Sequence, residues 1–179
     1  MANAVYAALR NVEKHAVAES TNLMATHWGK HIRNLRVPDA FDTLDNGVIV
    51  ARGKYADDPD DDVYPMDFAG TKFKGIIEGQ DRLKNSPAAN LGWVICCEEA
   101  EDGKSYLVLQ TPFGYLEQPS TARDEAYFYN VKGDVVRAYQ LTYDDRFTIS
   151  DEGFTVAPTV ADIGKEVTVD TATGKLVIS

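Results

Sequence analysis

Three histidines, two adjacent cysteines and several carboxylate runs are the side chains with which this chain could do chemistry. His27 and His31 stand at i, i+4, a spacing that puts two imidazoles on one helical face. A zinc hydrolase of that pattern needs a glutamate directly after the first histidine. Here Trp28, Gly29 and Lys30 intervene, and a glycine weakens a helix by about 1 kcal/mol relative to alanine. The pair reads as polar side chains on an exposed or interface-facing arm. The run Asp57-Asp58-Pro59-Asp60-Asp61-Asp62 offers oxygens to calcium, but it lacks the glycine and distal glutamate of an EF-hand. A hydrated acidic loop is expected, with a weak divalent-ion site as the sharper alternative.

Glu98-Glu99 and Asp144-Asp145 are neighbours along the chain. General acid–base catalysis needs two carboxyls converging on one cleft, so these pairs read as surface charge at strand ends. Cys96 and Cys97 have no CxxC spacing, and adjacent strand residues face opposite ways, so no disulfide joins them. One buried and one partly exposed thiol are expected. No GxSxG, GxGxxG or phosphate loop is present, and Gly70, Gly75 and Gly79 are too widely spaced to cradle a phosphate. The expectation is a non-enzymatic protein without catalytic residues, cofactor or metal ligands.

The elements that carry these residues are those of a folded domain. With 179 residues and 44% apolar content the chain is long enough for one hydrophobic core. Its net charge of −10 disfavours nucleic acid and anionic membrane as partners. No window approaches the ~20 apolar residues of a membrane span, and residues 1–20 lack the apolar core of a secretory signal. Synthesis in a cytoplasm and a soluble product are expected.

Residues 2–16 are the best helix candidate, with Val5, Ala8, Leu9 and Val12 at helical spacing. Residues 17–37 mix β-branched, aromatic and basic types. From Asp45 the pattern is β. Strands are expected at 48–51, 93–98, 105–110, 126–131, 135–141, 146–150 and 166–170, with a last one in Lys175–Ser179. The segment 93–98 is expected to form a hairpin with 105–110 through Asp102-Gly103, and Thr173-Gly174 to turn a closing hairpin. The fold class is mainly β, a small sandwich or partly closed barrel with an N-terminal helix and extended arm. The expected division is an arm over 1–37 and a β-rich domain over 38–179. Tyr127, Phe128, Tyr129, Tyr139, Tyr143 and Phe147 read as core or cross-strand partners. A sugar-binding platform built on Tyr127, Tyr129 or Tyr139 is the alternative.

Three segments together resemble a known family. They are Asp45-Asn46-Gly47-Val48-Ile49-Val50 running to Gly53, the block from Val131 to Ser150 with Arg137-Ala138-Tyr139-Gln140-Leu141 leading to Asp145 and Phe147, and Ile163-Gly164-Lys165-Glu166-Val167 with Thr173-Gly174-Lys175-Leu176-Val177. Their order is similar to that in small head-associated proteins of tailed bacteriophages, encoded near the major capsid gene. The likeness covers roughly residues 40–179 and supplies no catalytic residue. It implies an auxiliary or decoration protein of the virion, bound to the major capsid protein, homo-oligomeric or held on the lattice, and stabilising the shell. The alternatives are a head fibre, tail or head–tail connector protein, or a carbohydrate-binding β module. Residues 1–37 are the expected contact arm, with Trp28, His31, Arg33 and Arg36 as anchors, since aromatic and arginine side chains dominate interface energetics.

Overall fold

The computed structural model describes residues 15–28, 31–54, 63–84, 91–110 and 129–179. Residues 2–14 of the expected helix, the Asp57–Asp62 run, Tyr127 and Phe128 lie outside these. His15, Ala16 and Val17 belong to no helix or strand.

In chain order the elements are β1 (Ala18–Asn22), α1 (Met24–Trp28), β2 (Ile32–Arg36), β3 (Thr43–Asp45), β4 (Ile49–Arg52), β5 (Tyr64–Asp67), β6 (Phe73–Arg82), β7 (Leu91–Ala100) and β8 (Tyr106–Val108). There follow β9 (Tyr129–Val131), β10 (Val135–Gln140), β11 (Arg146–Ile149), β12 (Glu166–Val169) and β13 (Leu176–Ile178), with 3-10 turns at Asp151–Gly153 and Val160–Asp162. They form a six-stranded sheet in the order β1-β11-β7-β6-β12-β13, a closed five-stranded barrel β10-β2-β5-β4-β8, and the small ladder β3-β9. The expected mainly-β class with a barrel is what the chain adopts.

Alternation explains most of the large sheet. In β6, Phe73, Gly75 and Ile77 are buried, and in β7 so are Trp93, Ile95 and Cys97, while the residues between them are more exposed. This is the signature of a sheet with one covered face. Gly75 sits where β6 and β7 approach closely, since a Cβ there would meet the Cys96 carbonyl oxygen at 2.7 Å.

The strands β4 and β8 follow a different rule. Val50, Tyr106 and Val108, with the preceding Val48, pack inside the barrel. Ile49 and Leu107, opposite each other in the ladder, point the other way into the core beneath the large sheet. A wall buried on both faces reads as a continuous apolar run, and that is why VIV and YLV do not alternate.

The expected hairpin between 93–98 and 105–110 is not formed. β7 pairs with β6 and β11, and β8 with β4 and β10. The Asp102-Gly103 turn is present, with Gly103 at φ 78°, but it carries the chain from sheet to barrel. The double-sided burial of β8 requires it to leave the sheet. Gln140, 3% exposed, satisfies the turn backbone in place of a ladder. Its Oε1 accepts from Gly103 N at 3.0 Å, and its Nε2 donates to the Glu101 carbonyl at 3.3 Å. The closing hairpin is formed as expected, β12 pairing antiparallel with β13.

Over the part described, residues 15–37 do not stand apart as an arm. β1 is an edge strand of the large sheet, paired with β11, and β2 is a barrel strand between β10 and β5. Ala16, Val17 and Leu35 are fully buried, so the boundary drawn at residue 37 cuts through a continuous fold. The apolar residues in 17–37 are sparse, but Val17, Leu23, Ala25, Leu35 and Val37 are all buried.

Candidate functional site

The four anchor residues inferred from sequence lie in and after α1 and along β2. Trp28 ends α1. His31 is exposed in the turn that follows. Arg33 is half-buried and its Nη1 donates to the Ile32 carbonyl at 3.1 Å. Arg36 is exposed and its Nη1 donates to the Gly133 carbonyl at 3.2 Å. Positions 33 and 36 differ by an odd number on one strand, so these arginines leave opposite faces of β2. The tyrosines are dispersed. Tyr129 is half-buried on β9 with its ring 4.5 Å from that of His15. Tyr139 packs against the core beneath the large sheet, while Tyr143 is 77% exposed in the β10–β11 turn.

The ionisable groups that do converge brace the fold. Asp45, Asn46 and Gly47 form a junction between barrel, sheet and both ends of the described chain. Gly47 adopts φ 83°, donates its N–H to the Val108 carbonyl at 2.8 Å, and lies so close under Ile149 and Ala18 that a side chain has no room. The buried Asp45 carboxylate meets His15 Nδ1 at 2.5 Å and Lys175 Nζ at 3.2 Å. Asn46 Oδ1 accepts from Gln110 N at 2.7 Å, and its buried Nδ2 has no hydrogen-bond partner among the described residues.

Asp145 corrects the expectation of surface charge at 144–145. It is 4% exposed, and its carboxylate accepts from Met24 N at 2.7 Å, Thr142 N at 2.8 Å and Thr142 Oγ1 at 3.0 Å. One acid thereby ties the start of α1 to the β10–β11 turn. Asp144 is exposed and pairs with Arg146 at 3.0 Å. Arg146 also grips Glu78 with two hydrogen bonds of 2.7 and 2.9 Å, which hold the Glu78 carboxyl below the usual range. Cys97 is buried and Cys96 half-buried, both free, as the spacing implied. Burial pushes the Cys97 thiol up to about 12. Among the described residues no group of three His, Cys, Asp or Glu side chains is arranged to hold a metal ion.

The segment from Phe154 to Lys165 has the opposite character. Phe154 is buried and bridges to Leu176, and Thr155 N donates to the Leu176 carbonyl at 2.9 Å. At the far end Gly164 N donates to the Ile77 carbonyl at 2.8 Å, and Ile77 N to the Lys165 carbonyl at 3.1 Å. Between these anchors a capping box closes the Val160–Asp162 turn. The Asp162 carboxylate accepts from Thr159 N and Thr159 Oγ1, both at 2.7 Å, and from Lys165 Nζ at 2.7 Å. These donors, Lys165 first, draw the Asp162 carboxyl down to about 2.

This fastened backbone points aliphatic side chains outward. Val156 is 73% and Val160 68% exposed, and Ile163 is also solvent-exposed. Beside Val160 lies an open hollow of about 520 Å³, walled by Leu91, Pro158 and Val160 and bordered by Trp93, Asp151 and Glu152. Trp93 Nε1 donates to Asp151 Oδ1 at 2.6 Å. Within this segment only Ile163-Gly164-Lys165 stood out in the sequence, as part of the family resemblance. The other local signal was the Thr159-x-x-Asp162 capping box after Pro158, which announces a fixed turn but not the exposure of its apolar residues.

Comparison of the chain with protein-family models, with curated proteins and with solved structures returns no match.

Proposed function

We propose that this chain is a non-enzymatic structural protein of a bacteriophage virion, an auxiliary or decoration protein that binds the major capsid protein and stabilises the shell. One observation carries the reading: a loop tied down at both ends holds Val156, Val160 and Ile163 in solvent. Fixed apolar side chains on a strongly acidic surface suit a lasting contact with a partner. The buried ionisable pairs support it from the other side, because Asp45 and Asp145 are tied up in holding elements together. The likeness of the Asp45-Asn46-Gly47 strand and the Arg137–Phe147 block to small phage head proteins supplies the class of partner. A ligand that binds only the assembled lattice stabilises it by mass action.

The test is cosedimentation and cryo-EM of the full chain with heads assembled from the major capsid protein of the same phage. The expected result is saturable binding at a site repeated across the lattice, with heads that resist heating better when decorated. Binding only as a ring of about six or twelve copies at one vertex would assign the chain to the head–tail connector instead. No binding to any form of the head would overturn the reading.

A further inference from the structure

We infer that the hollow beside the Phe154–Lys165 loop receives an arginine or lysine side chain of a protein partner, whose apolar surface then covers Val160. The inference deepens the proposed function, and its partner on that reading is the shell protein. The shape and charge of the site choose the occupant. Leu91, 55% exposed, and Val160 form apolar walls, which suit the aliphatic stem of a long basic side chain. Asp151 and Glu152 lie on the border of the same hollow. Neither is in a salt bridge among the described residues, and the hollow has no lysine or arginine of its own. Arg82 faces Leu91 across the ladder but does not line the hollow. Trp93 Nε1 occupies one oxygen of Asp151, which fixes that carboxylate and leaves the other oxygen open to a guanidinium. A second copy of this chain is a poor occupant, because the chain is acidic overall at −10 and would set like charges against Asp151 and Glu152.

The larger groove at the end of β6 and β7 does not make the same case. Its lysines are already paired internally, Lys72 with Glu101 and Lys74 with Glu166.

The first experiment needs no capsid. The full chain, labelled with 15N, is titrated with the blocked peptide acetyl-Gly-Arg-Gly-amide and, separately, with its norleucine and glutamate counterparts. The arginine peptide is expected to shift the amides of Leu91, Asp151, Glu152 and Val160, less so in high salt. The norleucine peptide should act more weakly and the glutamate peptide not at all. No response at the hollow, or an equal response to arginine and glutamate, overturns the inference.

The second experiment measures head binding of Val160→Asp and Glu152→Gln, with Tyr143→Ala as a remote control. Each of the first two is expected to weaken binding by about tenfold or more, while the control stays at the wild-type level. The replaced side chains are all outside the core, and an unchanged melting curve verifies that the variants are folded. Wild-type binding matched by Val160→Asp overturns the inference and leaves the proposed function standing. Failure of the wild type itself to bind heads removes the proposed function, while the peptide titration still decides the hollow.

Discussion

The Asp45-Asn46-Gly47 junction and the Phe154–Lys165 loop are both irregular segments fastened by hydrogen bonds, yet they are inverted copies of one device. At the junction, polar groups are buried and the glycine lies under Ile149, so the hydrogen bonds serve cohesion between barrel and sheet. In the loop, polar groups lie toward the surface and hold the backbone while Val156, Val160 and Ile163 remain in water. Burying polar groups is costly unless they are paired, and exposing apolar ones forfeits hydrophobic stabilisation. The first departure from the usual arrangement joins two halves of a fold. The second leaves a surface ready for a partner.

Substitutions at the two places should therefore have opposite consequences. The largest effect is expected at Gly47→Ala, where a methyl group meets Ile149 and lies 2.9 Å from the Ala18 Cβ, and where φ is 83°. Strain and overpacking together should cost about 3 kcal/mol, measured by urea denaturation; a change near zero would mean the junction yields freely. Asp45→Asn should cost about 3 kcal/mol by breaking a buried pair, and a double-mutant cycle with His15→Ala should show strong coupling between the two. Ile49→Ala removes a side chain from the wall common to both cores and should cost about 3 kcal/mol. A single unfolding transition is expected to persist.

The loop should respond locally. A carboxyl with a depressed pKa contributes above its unfolded value and loses that contribution as pH falls through its folded one. Protection of the Val160–Gly164 amides from hydrogen exchange should thus decline from about pH 4 toward about pH 2, where Asp162 takes up its proton. In Asp162→Asn that pH dependence should vanish, with global stability nearly unchanged. The smallest signal is at the thiols. Burial raises both Cys96 and Cys97 above the ordinary thiol range, Cys97 to about 12. Native protein should be alkylated slowly at Cys96 and not at Cys97, and both should react on unfolding. Fast labelling of Cys97 would show that β7 opens.

What was legible in the sequence is what local physics decides. The β12–β13 hairpin follows from an alternating strand and a Thr-Gly turn. The strand β4 follows from its apolar run, and the opposed burial of Cys96 and Cys97 from the strand period of two. The partner of β8 was not legible, because a Gly turn announces a reversal without saying whether the returning strand is buried on one face or two. Only the second possibility sends Tyr106–Val108 into the barrel wall. β6 was obscured by Gly75 and Gly79, residues that signal turns but here accommodate close packing and a bulge. The candidate site was hidden for a related reason. Phe154, Val156 and Val160 are ordinary apolar residues in the chain, and the bonds to Leu176 and Ile77 decide that the first is buried and the other two stay outside.

The pairing of β1 with β11 has a consequence for how the protein comes into being. Ala18 lies opposite Ile149, so the first described strand leaves the ribosome about 130 residues ahead of its mate. Until the second arrives, Ala16, Val17 and Leu23 have no lasting cover from it. β1 must therefore wait unpaired until β11 has been translated, while a local pair such as β6–β7 can form earlier. Such a chain depends more on holding chaperones and on the pace of elongation than one built from neighbouring hairpins.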